Sequence, residues 1–364
     1  MHTAAGREDA SASRATFSMG APGGAREGGS FVPAGSILSF VGNTPLVEIR
    51  YLHTGQRIVA KAEFLSPSGG PKDRVVKWIV EKAEREGRLR PGMALLEATT
   101  GSTGISTALI GAVRGYDVVI VMPAGMSRER HDLIRALGAR LELTEGAGSD
   151  IDLAIARARE LMEAQPDRYF FINQFGSPDN VDAHYHLTGP EIWDQTHGEL
   201  DAFVAMMGTG GTVTGVSRYL KERNPAIRCF AGEPSGSAAF LTGHKGRHVI
   251  EGVGDGVVPE IFDPSFIDGV VLVSDPEAVS MSRWLARHEG LMVGPSAGAN
   301  VVAAAKLAEA FPELRLIVTI LPDTGLRYLS TGLYHRPEQD AEPAGLPACI
   351  ERSQGRVRRL TVVR

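Results

Sequence analysis

The sequence predicts an α/β protein built on an open, twisted, mostly parallel sheet flanked by helices. Two observations carry that expectation. Short apolar runs alternate with stretches of helical apolar spacing from about residue 94 to residue 321, which is the order of strands and crossover helices in a parallel sheet. Small-residue loops rich in Gly, Ser and Thr stand where a strand run ends and the next helix begins, the place where open α/β sheets hold ligands.

The elements follow in order. Residues 1–35 are rich in Gly, Ala, Ser and Arg without a sustained period and are expected to be disordered. Order is expected from Ser36, where Ile37, Leu38 and Val41 lead into GNTPLVEI and two strand-like runs at 46–51 and 57–64. The glycine-rich loop SPSGGPKDR, residues 66–74, then delivers Lys72 to a helix start, because Val75, Val76, Ile79, Val80 and Ala83 follow at near-helical spacing. Beyond it, strands are expected at 94–98, 118–122, 140–143 and 169–172, with helices at 103–114, 127–137 and 150–164. The pattern resumes with helix 181–193, strand 202–207, helix 213–221 and strand 228–232. After a glycine-rich stretch at 252–256 come strand 270–273, helices 276–288 and 297–309, and strand 316–321. Past Thr331 the segment HRPEQDAEP reads as a linker, and Arg352, Arg356, Arg358, Arg359 and Arg364 read as a solvated, charged end.

Composition narrows the function classes. With 364 residues, 43% hydrophobic and 22% charged, core size is not limiting, and one large domain or two ordinary ones fit. A net charge of −5 offers no general attraction to nucleic acid or an anionic membrane, so any bound anion must be held locally. Cys229 and Cys349 are the only cysteines and have no metal-ligand spacing with histidine, so no metal is expected and a reducing cytoplasm is the simplest setting. No apolar stretch is long enough to cross a bilayer, and the first residues lack the apolar core of a secretory signal.

Several loops have chemical potential. A lysine at a helix start opposes the dipole, and with partial burial its pKa is expected to fall, which suits it to act as nucleophile or base. Taken alone, Lys72 also passes for a solvated loop lysine. Gly208, Thr209, Gly210, Gly211 and Thr212 form GTGGT between a strand and a helix, where backbone N–H groups can approach a phosphate. It is neither GxxxxGK[ST] nor GxGxxG. Thr99, Thr100, Gly101, Ser102 and Thr103 stand at a similar junction and suit a carboxylate, or a plain helix cap. Ser296 in GPSAG, Gln174 in NQF and the turn PDTG at 322–325 complete the set. An amine, a phosphate cradle and a carboxylate cradle are the parts needed to hold a phosphorylated aldehyde cofactor and an amino acid.

The order and wording of these segments resemble a family. PSGGPKDR, EATTGSTG, INQFGSPDN, HYHLTGPEIW, GTGGTVTG, IEGVGDG, GPSAGA and LPDTGLRYLST together are similar to the pyridoxal-phosphate-dependent cysteine synthase and cystathionine β-synthase family, over about residues 36–331. The resemblance implies a tryptophan synthase β-subunit-like fold with two sheets. It implies a large cofactor domain from 36–75 and 179–332, a small mobile substrate-gripping domain from 76–178, a C-terminal extension from 333–364, and a homodimer. It also implies that Lys72 forms a Schiff base with pyridoxal phosphate, that Gly208 to Thr212 bind the phosphate, and that the Ser296 hydroxyl faces the pyridine nitrogen. Thr99, Thr100, Thr103 and Gln174 are then expected to grip the substrate carboxylate. A hydroxyl partner leaves the ring nitrogen largely unprotonated and favours loss of a β-substituent. The implied reaction is β-replacement on serine or an O-activated serine, through an aminoacrylate attacked by sulfide, a thiol or another nucleophile. A serine or threonine dehydratase and a silent binding protein are the rivals.

One position departs from the family. Ser102 stands where the resemblance expects an asparagine that hydrogen-bonds the cofactor's phenolic oxygen, so donor or acceptor choice is expected to differ from ordinary cysteine synthesis. No haem-ligating cysteine lies in the N-terminal stretch, and too few residues follow Thr331 for a regulatory domain.

Overall fold

The structure, a computed structural model, describes residues 35–50, 56–146, 150–334 and 357–359. The expectations for residues 1–34, for the linker after Tyr334 and for Arg352, Arg356 and Arg364 lie outside the described residues. Among the described residues, eleven strands and ten α-helices follow in chain order: β1 (Leu46–Glu48), β2 (Arg57–Lys61), α1 (Lys72–Arg85), β3 (Ala94–Ala98), α2 (Ser102–Arg114), β4 (Val118–Pro123), α3 (Arg128–Ala136) and β5 (Arg140–Thr144). Then come α4 (Ile151–Ala164), β6 (Tyr169–Phe171), α5 (Pro178–Ala183), α6 (Gly189–Gln195), β7 (Ala202–Met206), α7 (Gly211–Arg223) and β8 (Arg228–Pro234). The remainder is α8 (Ala239–Thr242), β9 (Gly269–Val273), α9 (Asp275–Trp284), α10 (Pro295–Ala310), β10 (Leu316–Ile320) and β11 (Val357–Arg359).

Two sheets organise these elements. Seven strands lie in the order β1-β2-β10-β7-β8-β9-β11, with β1 and β11 antiparallel to their neighbours and the other pairings parallel. The second sheet, β5-β4-β3-β6, is parallel throughout. The inner strands are buried on both faces, which is why they read as largely apolar runs. Alternation still divides each strand between two cores. In β7, Ala202, Val204 and Met206 join the core beneath α9 and α10, while Phe203 and Ala205 join the one beneath α7. In β3, Leu95 packs with α1 and α2, and Leu96 and Ala98 pack with α4.

The structure differs from the sequence reading in several places: the strand expected at 57–64 ends at Lys61 before a 3-10 turn at Glu63–Leu65, and the helix expected at 276–288 passes from α9 into a π-helical turn at Leu285–Glu289. The single helix expected at 181–193 is α5 and α6 joined by a π-helical turn at His184–Thr188. Pro190 cannot donate to the turn before it, and the wider turn takes up that mismatch. The arginine-rich end is also not wholly a solvated run, because residues 357–359 pair with β9 as an edge strand.

Lys72 lies where the two sheets meet in sequence. The chain leaves β2 of the large sheet, crosses the glycine loop, and enters α1, whose Val75, Val76, Ile79 and Val80 belong to the core of the small sheet. Two residues after the lysine, the wholly buried Arg74 fixes that crossing. Its guanidinium bonds Glu63 through Nε at 2.7 Å and Nη2 at 2.8 Å, and Nη2 reaches Glu191 at 2.7 Å. Lys61 pairs with Glu191 at 2.7 Å and also donates to the Thr44 carbonyl, and the Thr44 hydroxyl donates to Glu63 at 2.6 Å. Two cations thus face two carboxylates with their hydrogen bonds satisfied. Burial pushes Glu191 up, yet Arg74 and Lys61 outweigh it and hold its carboxyl below the usual range.

Arg74→Met would leave Glu63 and Glu191 facing one cation in a dry site. It is expected to lose about 3–5 kcal/mol of stability by denaturant unfolding. Arg74→Lys, which keeps the charge without the planar fork, is expected to recover less than half of that loss.

Candidate active site

The loops singled out by composition converge on one cavity. Thr99 and Thr100 follow β3, and Ser102 and Thr103 open α2. Gln174 lies just past β6, Gly208 to Thr212 join β7 to α7, and Ser296 is the second residue of α10. Lys72 opens α1. The cavity is lined by all of these residues except Gly211. Gly211 instead packs against Asn180, and a Cβ there would stand 2.1 Å from Asn180 Oδ1.

Neighbouring backbone dictates the shape of the GTGGT turn. A Cβ on Gly208 would come within 2.5 Å of the Gly252 carbonyl, and Gly210 has φ +83°, a conformation glycine adopts without strain. α7 starts at Gly211, so its first N–H groups are left without helical partners and face the turn. Thr209 Oγ1 accepts from Lys72 Nζ at 3.4 Å and from Asn180 Nδ2 at 3.0 Å. Thr212 Oγ1 lies 3.1 Å from His184 Nε2, and Thr188 Oγ1 is 3.0 Å from the other ring nitrogen. Burial, with Lys72 and Arg74 nearby, holds His184 well below its ordinary pKa and keeps it neutral. These contacts explain why HYHLT accompanies GTGGT.

On the other side of the cavity, Gln174 anchors the α2 start. Its Nε2 donates to the Ala98 carbonyl at 3.2 Å, and its Oε1 accepts from the Thr103 hydroxyl. Thr99 Oγ1 accepts from the Gly101 N–H at 2.9 Å. Gly101 has φ +143°, and a Cβ on it would overlap Arg130.

Ser102 has a partner the sequence did not disclose. Buried Arg327 donates from Nη1 to Ser102 Oγ at 2.9 Å and from Nη2 to the carbonyl of Ser68 in the lysine loop. The serine oxygen therefore accepts, and its own proton is free to turn elsewhere. Another side chain thus stands beside the shortened residue.

Electrostatics single out the lysine. Burial draws Lys72 down to about 8, against the pull of Asp255 and Glu97. Glu97 ends in a buried site at the base of the Thr99 loop and is pushed by burial up to about 8, despite the Asn173 N–H at 2.8 Å. Glu97, Asp255, Asn180 and Arg327 were not among the expected site residues. Glu97 sits within an apolar strand run and looked like core. Asp255 carried a signal, an acid set between two glycines.

The residues fit pyridoxal phosphate on the structure's own terms. A half-buried amine with a lowered pKa suits an aldehyde, the turn before α7 has free N–H groups and two threonine hydroxyls of the kind that suit a phosphate, and uncharged Ser296 rather than an acid stands at the α10 start.

Fold and cavity define the class, an α/β enzyme with a lysine amine of lowered pKa among loops at the carboxyl ends of parallel strands. Residues 37–323 match the model of the family described as pyridoxal-phosphate dependent enzyme, and the chain belongs to that family, in its cysteine synthase branch. Cysteine synthase A of Escherichia coli K12 is 43% identical over 304 residues, 81% of this chain and 93% of the relative. The crystal structure of cysteine synthase from Entamoeba histolytica superposes with a TM-score of 0.82 at 39% identity, covering 90% of this chain and all of that one. O-acetylserine dependent cystathionine β-synthase from Helicobacter pylori gives 0.79 at 38% identity, covering 84% of this chain and 100% of that one. The cofactor is pyridoxal phosphate.

The folded pKa of Lys72, about 8, lies below the ordinary 10.5. The folded chain then binds fewer protons between those values, so stability rises with pH across that window and the full cost is felt below pH 8. In cofactor-free protein, Lys72→Met is therefore expected to raise stability at pH 7 by on the order of 3 kcal/mol, and the gain should shrink above pH 8 in pH-resolved denaturant titrations.

Proposed function

We propose that the chain replaces the acetate of O-acetyl-L-serine, or the leaving group of another O-activated serine, with sulfide or a thiol. The observation that carries this reading is the half-buried Lys72, whose amine shares one cavity with the GTGGT turn and the Thr99 to Thr103 loop. Cysteine synthase relatives across most of the chain support it.

Lys72 would hold the cofactor covalently through Nζ, and Gly208, Thr209, Gly210, Gly211 and Thr212 would take its phosphate at the α7 N-terminus. Ser296 would face the pyridine nitrogen, and Ser102, held by Arg327, would stand by the ring. When bound, pyridoxal phosphate supplies an electron sink for negative charge developing at Cα. Thr99, Thr100, Thr103 and Gln174 would hold the substrate carboxylate at the positive end of α2. The Thr103 hydroxyl donates to Gln174 in this structure, so gripping a carboxylate requires it to rotate toward the amino acid. Lys72, neutral in useful proportion near pH 8, removes the Cα proton and later returns it. Closure of residues 76–178 over the substrate would keep water out.

The protein is also read as a cytoplasmic homodimer. Among the described residues no helix is long and apolar enough to cross a membrane, and Cys229 is a buried free thiol, in keeping with a reducing compartment. Exposed Ile37, Phe40 and Leu65 offer apolar surface of the kind a second subunit covers.

The test is spectroscopic and chemical. Wild type with pyridoxal phosphate should turn yellow, and borohydride should fix the label on Lys72. O-acetylserine should then release acetate and, with sulfide, give cysteine. Lys72→Ala should keep the fold and lose at least about 10²-fold in turnover. Rapid pyruvate release without any acceptor would replace this reading with a dehydratase.

A further inference from the structure

Three acidic side chains line the cavity wall: Glu251, Asp323 and Asp255. Glu251 pairs with Arg130, and Asp323 accepts from the Tyr328 hydroxyl at 2.7 Å. Asp255 is different. It is buried, yet no hydrogen bond or ion pair engages its carboxylate among the described residues. Burying an unpaired carboxylate is costly, and such groups concentrate at working sites.

The position of Asp255 is fixed with care. Gly254 and Gly256 flank it at φ +65° and +75°. The Gly254 N–H donates to the Met207 carbonyl at 2.9 Å, at the root of the GTGGT turn, and the Gly254 carbonyl accepts from Ser237 Oγ at 3.0 Å with His248 Nε2 at 2.9 Å. The residue borders two spaces at once, the inner cavity with Lys72 and a wider outer cleft. A second substrate coming from the cleft would meet this side chain on its way to the lysine.

We propose that Asp255 is the general base for the acceptor, taking its proton as the new bond forms, so that the enzyme uses neutral acceptors such as un-ionised thiols, hydroxylamines or water as well as hydrosulfide. This rests on the β-replacement reading above. The acceptor's lone pair bonds to the substrate β-carbon, from which acetate has departed with its bonding pair. The acceptor's proton passes to Asp255 and out through the cleft, while the proton Lys72 took from Cα returns there. Ester plus X–H thus gives the β-substituted amino acid, acetate and one proton.

The electrostatics agree with the geometry. Burial pushes Asp255 up to about 6, against His248 from the preceding segment and Lys72 from α1. Glu251 on the same segment is held by Arg130 of α3, and Glu97 at the end of β3 acts on Lys72. A carboxylate in that range is ionised at pH 8 and is a stronger base than an exposed aspartate.

Asp255→Asn keeps the shape and removes the base. In the holoenzyme, the cofactor's spectral response to O-acetylserine is expected to stay within threefold of wild type. The following step is expected to slow by about 10²–10⁴-fold with a neutral thiol, hydroxylamine or water, but by less than fivefold with hydrosulfide, already ionised at pH 8. The wild-type rate with neutral acceptors should fall below about pH 6, and the variant should lack that limb. A readout independent of turnover is thermal stability. The variant should melt above wild type at pH 8, the two converging toward pH 4, because the unpaired carboxylate destabilises the fold only while ionised. Equal slowing with every acceptor, no slowing, or loss of the response to O-acetylserine in the variant alone would overturn the assignment. If wild type itself gives no such response, the β-replacement reading fails instead.

Discussion

The buried ion cluster around Arg74 is the constraint on which the site depends. Lys72 opens α1 beside the cavity but does not itself secure that helix. Arg74, two positions further on, does that work by joining Glu63 beside β2 to Glu191 in α6. Paired charges in a dry site contribute less to net stability than their Coulomb attraction suggests, but leaving one partner alone is severe. The cluster therefore fixes geometry more than it adds stability, and Lys72 inherits that geometry.

The surrounding loops show how tightly backbone is drawn together there. Gly208 lies against the Gly252 carbonyl, Gly211 against Asn180 and Gly101 against Arg130. In each case the lack of a side chain lets two segments approach, and the N–H groups of α2 and α7 converge on one cavity as a result. The same close fit ties the Asp255 loop to Met207 through the Gly254 N–H, so that loop and the GTGGT turn share one wall of the cavity. Arg327 ties Ser102 to the lysine loop in a similar way.

Much of this was legible in the sequence. The buried strands announced themselves as apolar runs, and the small-residue loops at their ends announced the ligand side. Spacing alone did not divide the strands between two sheets, because β3 and β7 carry the same all-buried pattern, and local periodicity does not say which strand pairs with which. The resemblance to a family supplied that division. Arg327 escaped because its bond to Ser102 spans 225 positions, and Asp255 because its place at the cavity depends on a backbone bond from Gly254 to the distant Met207. Glu97 was hidden in the opposite sense, as a charge within a stretch whose neighbours are all core.

The edge strand formed by residues 357–359 alters what the large sheet offers its surroundings. A bare rim of main-chain donors and acceptors along β9 would be a template for a stranger's chain. Here residues 357–359 cover the rim of β9, and the short, three-residue β1 and β11 stand as the sheet's edges. Clipping these residues would bare the longer β9 and invite molecules to zip together side by side, so that solubility would record the loss.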